Sequence, residues 1–113
     1  MLVKYKKRKI TLGKFKVVSW LGKYSGLMFR SSKTSILIFS FKRDVNMAIH
    51  SYFVFFKFLA VWVDEKGNVL ETKIILPFTT VIRPKRPFRK LIEIPFNSEN
   101  NKLIRFFVGK RKI

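Results

Sequence analysis

Short apolar runs separated by polar breaks organise this chain, and that rhythm predicts strands. The clearest run is Ser35-Ile-Leu-Ile-Phe-Ser-Phe41, rich in branched and aromatic residues. Lys14-Phe-Lys-Val-Val-Ser-Trp20 keeps a partial period of two, which suits a strand with one buried face. Phe58-Leu-Ala-Val-Trp-Val63 leads into Asp64-Glu-Lys-Gly-Asn68 and then Val69-Leu-Glu-Thr-Lys-Ile-Ile-Leu76. Two such runs joined by a polar loop with a glycine predict a β-hairpin, ended by Pro77. Lys90-Leu-Ile-Glu-Ile94 and Lys102-Leu-Ile-Arg-Phe-Phe-Val108 read as further strands, with turn chemistry from Asn97 to Asn101 between them. Lys4 to Ile10 reads as a polar, exposed strand or arm, and Asn46 to His50 as another short strand. Trp20 to Met28 suits a short helix broken by Gly22 and Gly26. In Arg83-Pro-Lys-Arg-Pro87 each proline removes a donor and restricts its neighbour, so an exposed loop is expected.

Many short strands at this spacing predict a mainly β fold, a single-domain sandwich or barrel-like body with at most one short helix. Its core is expected over residues 14–96. Residues 1–13 form a basic N-terminal arm or edge strand, and 97–113 a C-terminal strand and basic tail. At 113 residues, one core of this kind can fold without staples. The chain has no cysteine, which removes disulfides and thiolate metal sites. The longest apolar stretch, Tyr52 to Val63, carries Lys57 in its middle. It falls short of the ~20 residues that a membrane span needs, so buried strands are the expectation. Thr11, Gly13, Lys14 and Lys16 interrupt any apolar core of a signal peptide, and a cytoplasmic protein is expected.

Charge changes the picture most. Twenty-five Lys and Arg oppose six Asp and Glu, for a formal net charge of +19. Such an excess opposes compaction unless a polyanion neutralises it. From Met1 to Lys16 there are seven bases (Lys4, Lys6, Lys7, Arg8, Lys9, Lys14, Lys16) and no acid. From Arg83 to Lys90 there are five (Arg83, Lys85, Arg86, Arg89, Lys90), again with no acid. Lys102, Arg105, Lys110, Arg111 and Lys112 follow near the end. Ordinary surfaces mix signs, so these clusters point to phosphate.

Catalysis is hard to assemble from what remains. His50 is the sole histidine and lies in an apolar, aromatic run, where a packed imidazole is the ordinary reading. A zinc site of the usual kind lacks its second His and its Cys. His50 with Asp44 or Asp64 could formally complete a triad, but no nucleophile-elbow motif supports one. Asp64 and Glu65 fit turn chemistry better than acid–base work. No glycine-rich phosphate loop occurs. The expectation is a protein without catalytic residues, metal or cofactor.

Gly26-Leu-Met-Phe-Arg30, Ile36-Leu-Ile-Phe-Ser-Phe41, Ile49-His50, Val63-Asp64, Gly67-Asn-Val-Leu70, Arg83-Pro84 and Leu91-Ile-Glu-Ile-Pro95 follow one another in an order that resembles the domain of unknown function 192 family. The likeness covers about Phe15 to Pro95. It implies a compact β-sandwich with little helix and leaves the activity open. Two departures stand out: Lys57 and Leu59 replace the family's Pro-x-Asp step, and His50, Ser51, Tyr52 and Phe53 replace its more polar segment. Arg30 and Glu93 match family positions, and the resemblance implies a structural role for them, as an ion pair.

The functional expectation is a structural RNA-binding protein, a ribosomal or ribosome-associated component, with neighbouring ribosomal proteins as further partners. Backbone contact by basic arms suits structured RNA, and no recognition helix or zinc-finger pattern argues for DNA. The expected phosphate contacts are Lys4, Lys6, Lys7, Arg8, Lys9, Lys14, Lys16, Arg83, Lys85, Arg86, Arg89, Lys90, Lys110, Arg111 and Lys112. Phe88, flanked by Arg86-Pro87 and Arg89, is the foremost stacking candidate, ahead of Tyr5, Tyr24 and Phe96. Two rivals come from other classes. One is a small-molecule or peptide binder with a pocket at His50, Tyr52 and Arg30. The other is a peripheral protein on anionic membrane.

Overall fold

A computed structural model of the chain describes residues 1–17, 35–49, 51, 54–79 and 81–109. Among these described residues, seven strands and one α-helix follow in order: β1 Leu2–Tyr5, β2 Arg8–Thr11, β3 Phe15–Val17, β4 Ile36–Val45, β5 Phe58–Val63, β6 Val69–Ile75, β7 Phe88–Pro95, and α1 Asn101–Val108. Strands β1 and β2 make a two-stranded antiparallel ribbon. The others form a five-stranded sheet in the order β3-β4-β7-β5-β6. Only the β3–β4 pairing among them is parallel. The fold is mainly β, as the pattern of short runs predicts.

All six positions of β5 are buried. A strand covered on both faces reads as a continuous apolar run, and Phe-Leu-Ala-Val-Trp-Val is one. Alternate residues feed two separate cores. Phe58, Ala60 and Trp62 join Leu37, Phe39, Phe88 and Leu91 on one face, under Val54 and Ile82 from the loops. Leu59, Val61 and Val63 join Ile38, Ile92 and Ile94 on the other, under Val3, Leu12, Ile104 and Phe107. The N-terminal ribbon and α1 are therefore a layer of the core. The expected division into a central core with charged ends gives way to a body that both ends help to close.

Residues 102–108 form a helix where a strand was expected. As a strand, this segment would mix Lys102 with Ile104 and Phe106 on one face, and Arg105 with Phe107 on the other. As a helix it buries Ile104 and Phe107 one turn apart and turns Lys102 and Arg105 outward. Asn97 caps the 3-10 turn that precedes it, its side chain accepting from the Asn100 N–H. Residues 46–49 contribute a single bridge, Ile49 to Ile82, and no strand. The expected helix at Trp20 to Met28 lies outside the described residues.

The β5–β6 hairpin turns as its sequence predicts. Asp64 Oδ1 accepts from the Lys66 and Asn68 N–H groups, each at 2.9 Å, and Oδ2 from the Asn68 side chain at 3.1 Å. Gly67 has φ of 85°, and a Cβ there would stand 2.7 Å from the Leu2 carbonyl oxygen. Its own carbonyl accepts from Lys4 N–H at 2.8 Å, tying ribbon to sheet. Only glycine satisfies both the left-handed backbone and the close approach.

Candidate nucleic-acid interface

The basic residues separate by type. Each arginine of the expected contact set that is described binds an acceptor within the protein. Arg8 Nη2 donates to the Phe106 carbonyl at 3.2 Å, and its guanidinium lies 4.7 Å from the Phe106 ring centroid. It thereby serves the last turn of α1, where free carbonyls attract a cation. Arg83 donates to the Asn46 carbonyl at 3.0 Å, and Arg86 to that of Leu70 at 3.4 Å. Arg89 pairs with Asp44 at 3.2 Å and with Glu65 at 3.4 Å. The Lys85 N–H is held by Glu71 at 2.9 Å. The loop at 83–87 is exposed as expected, apart from buried Pro84, but its arginines brace the fold.

The lysines differ. Among the described residues, no ammonium of Lys4, Lys6, Lys7, Lys9, Lys14, Lys16, Lys85 or Lys90 makes a hydrogen bond or ion pair. Lys6, Lys7, Lys9, Lys14, Lys16 and Lys85 are exposed, while Lys4 and Lys90 are half-buried. A strongly hydrated point charge of this kind remains available to an outside anion. Lys110, Arg111, Lys112 and Arg30 lie outside the described residues.

The ribbon concentrates these lysines. Val3 and Ile10 face each other, as do Tyr5 and Arg8, on the side turned to the helix. There Tyr5 packs against Phe106 and Phe107. Lys4 and Lys9 are directly opposite on the outer side. Like charges so placed repel, although Lys4 also feels the Asp64 carboxylate. The turn between the strands consists of Lys6 and Lys7, with φ of 49° and 65°. A two-residue hairpin turn with both φ positive favours Asn-Gly. Each residue with a Cβ there costs about 1–2 kcal/mol.

Phe88 is a correction. It is buried in the core and packs edge-on against Phe41, with centroids 5.9 Å apart, so no base can stack on it. Its neighbours in sequence are basic because they flank the start of a strand whose first residue points inward. Lys102 and Arg105, absent from the expected contact set, are exposed on the outer face of α1. The signal was their spacing of three, legible once the segment is read with a helical period. Lys14 and Lys102 also line an open groove of about 360 Å³ beside Glu99 and Asn100.

A second polar feature lies inside the sheet. Glu93 sits between Leu37 and Ala60 and is buried; its Oε1 finds no partner among the described residues. Burial pushes its carboxyl up to about 8. The Trp62 Nε1 also lacks a partner among those residues, and the register puts the two side chains diagonally adjacent on one face. The expected pairing of Glu93 with Arg30 falls outside the described residues. No group of three or more His, Asp or Glu side chains gathers among the described residues. No helix there is long and apolar enough to cross a membrane.

No family model matches the chain, and no curated protein does. Solved structures do. A protein of unknown function from Novosphingobium aromaticivorans is similar, with a TM-score of 0.67, 15% identity, and 79% of this chain and 66% of that one covered. This chain thus spans just under two thirds of that protein. A Sinorhizobium meliloti protein described as a "putative transcription regulator" is similar with a TM-score of 0.71, 15% identity, and 90% and 81% coverage. The likeness shows the fold.

Proposed function

We propose that the protein binds structured RNA through its phosphates, as a structural component of a ribonucleoprotein such as the ribosome. The observation that carries this reading is the ribbon tip. Lys6 and Lys7 occupy two left-handed positions that oppose a side chain, and Lys9 faces Lys4 across the strands. Each choice weakens the fold, and each adds exposed positive charge. Sequences keep such local conflicts where function requires them. Lys14 and Lys102 line the groove beside Ile10 and Thr11 of β2, with Glu99, and add further positive charge next to the ribbon. The resemblance to the domain of unknown function 192 family is part of the proposal, with this chain as a strongly basic, divergent member acting in the cytoplasm without catalysis.

Titration of a fluorescent structured RNA at increasing salt tests the reading. If about six phosphates of a single-stranded segment of that RNA are neutralised, the log–log slope is near −4, at ~0.7 per phosphate. An affinity indifferent to salt contradicts it. Sedimentation of native lysate on a sucrose gradient tests the narrower statement: the protein travels with ribosomal subunits, or that assignment fails.

A further inference from the structure

On the face of the sheet away from the ribbon, residues 46–49, 51 and 54–57 meet residues 76–79 and 81–87, with an antiparallel bridge between Ile49 and Ile82. Buried Ser51 joins them. Its Oγ accepts from the Thr79 N–H at 2.6 Å and donates to the Leu76 carbonyl at 2.7 Å, and its own carbonyl accepts from the Phe78 N–H at 2.9 Å. This clamp holds large apolar side chains outward. Phe55 is 62% exposed, Leu76 61%, Phe78 49% and Val81 68%. The Phe55 and Phe78 rings meet edge to face at 5.4 Å. Phe78 has φ of 59°, a genuine outlier for a bulky residue. The two segments hold Lys57, Arg83, Lys85 and Arg86 and no acid.

We propose that this end of the molecule docks onto an anionic lipid bilayer. Exposed apolar side chains on segments of net positive charge, with Glu71 the acid that holds the Lys85 N–H, fit the boundary between acyl chains and anionic headgroups. A net charge of +19 repels a second copy of the chain. Leu76 and Val81 give a nucleic-acid base no ring to stack on, whereas lipid accepts aliphatic and aromatic groups alike. Ile82 and Val54 pack on the sheet face opposite Val3 and Leu12, so this surface is separate from the ribbon.

Flotation of the nuclease-treated full chain with phosphatidylcholine–phosphatidylserine vesicles, and with phosphatidylcholine alone, tests the proposal. The wild type floats with the anionic vesicles. Phe55→Ser and Phe78→Asn each weaken binding roughly tenfold, the loss of one partly inserted ring. Asparagine tolerates the left-handed backbone, so the unfolding midpoint of Phe78→Asn is unchanged or higher. Lys6→Asn/Lys7→Gly, on the other face, floats as the wild type does, which separates this surface from the RNA reading. The proposal is overturned by no flotation of the wild type, by flotation insensitive to both aromatic changes, or by a dimer in sedimentation that the aromatic changes abolish. Loss of RNA affinity in Phe55→Ser/Phe78→Asn, with vesicles unbound, assigns the rings to RNA and overturns it too.

Discussion

The two hairpins obey opposite rules. Between β5 and β6, Asp64 satisfies two backbone N–H groups and Gly67 takes the left-handed position. Every local choice agrees with the fold. Between β1 and β2, two lysines take left-handed positions and two more face each other across the ribbon. The ribbon is anchored by Val3 and Leu12 beneath, and its upper half is spent on charge. Where local preference and fold agree, a segment serves stability; where they conflict on an exposed tip, another demand is being met.

The largest expected change concerns the stable side, through Glu93 opposite Ala60. Its folded pKa, about 8, lies above the ordinary carboxyl value. Its contribution is therefore fully present below about 4.5 and is lost as pH rises through 8. Glu93→Gln removes that loss, so thermal unfolding of the two proteins diverges from pH 5 to pH 9, with the variant ahead at alkaline pH. Parallel curves refute the burial argument. Gly67→Ala comes next, with about 2 kcal/mol lost to the left-handed backbone and the Leu2 carbonyl, seen as a lower urea midpoint.

Asp64→Ala is smaller, at about 1–2 kcal/mol. Burial pushes the Asp64 carboxyl up, but the Asn68 and Lys66 hydrogen bonds and the Lys4 charge outweigh it and hold the pKa low. Its stabilisation is present above the unfolded pKa and fades as pH falls through the folded one. The gap between wild type and variant should close in acid; a gap constant to low pH excludes the charged contacts. Lys9→Thr is the smallest, a gain of about 0.2–1 kcal/mol from relieved repulsion. A loss would mean that Lys4 and Lys9 do not oppose each other in solution.

Much of the fold was legible. Strands β4 to β7 stand out because their residues are branched, aromatic and bounded by turn chemistry. The β1–β2 ribbon was half-legible: its polarity suggested an arm, and Lys-Lys is no hairpin signal, so only the burial of Val3 reveals the anchoring. The 102–108 helix was misread because its apolar residues suit either period over so short a span. The candidate site was legible as charge and not as availability. Sequence cannot show that Arg8, Arg83, Arg86 and Arg89 have acceptors inside the protein, or that Phe88 points inward while Phe55 points out.

One double substitution reads both halves of the account at once. Lys6→Asn/Lys7→Gly installs the residues that the turn prefers and removes two charges. Unfolding and RNA titration are measured on the same preparation. The account predicts a more stable protein, by about 1–2 kcal/mol per relieved residue, that binds RNA more weakly, with a salt slope shallower by about 1.4. A variant no more stable than the parent, with RNA affinity intact, contradicts it.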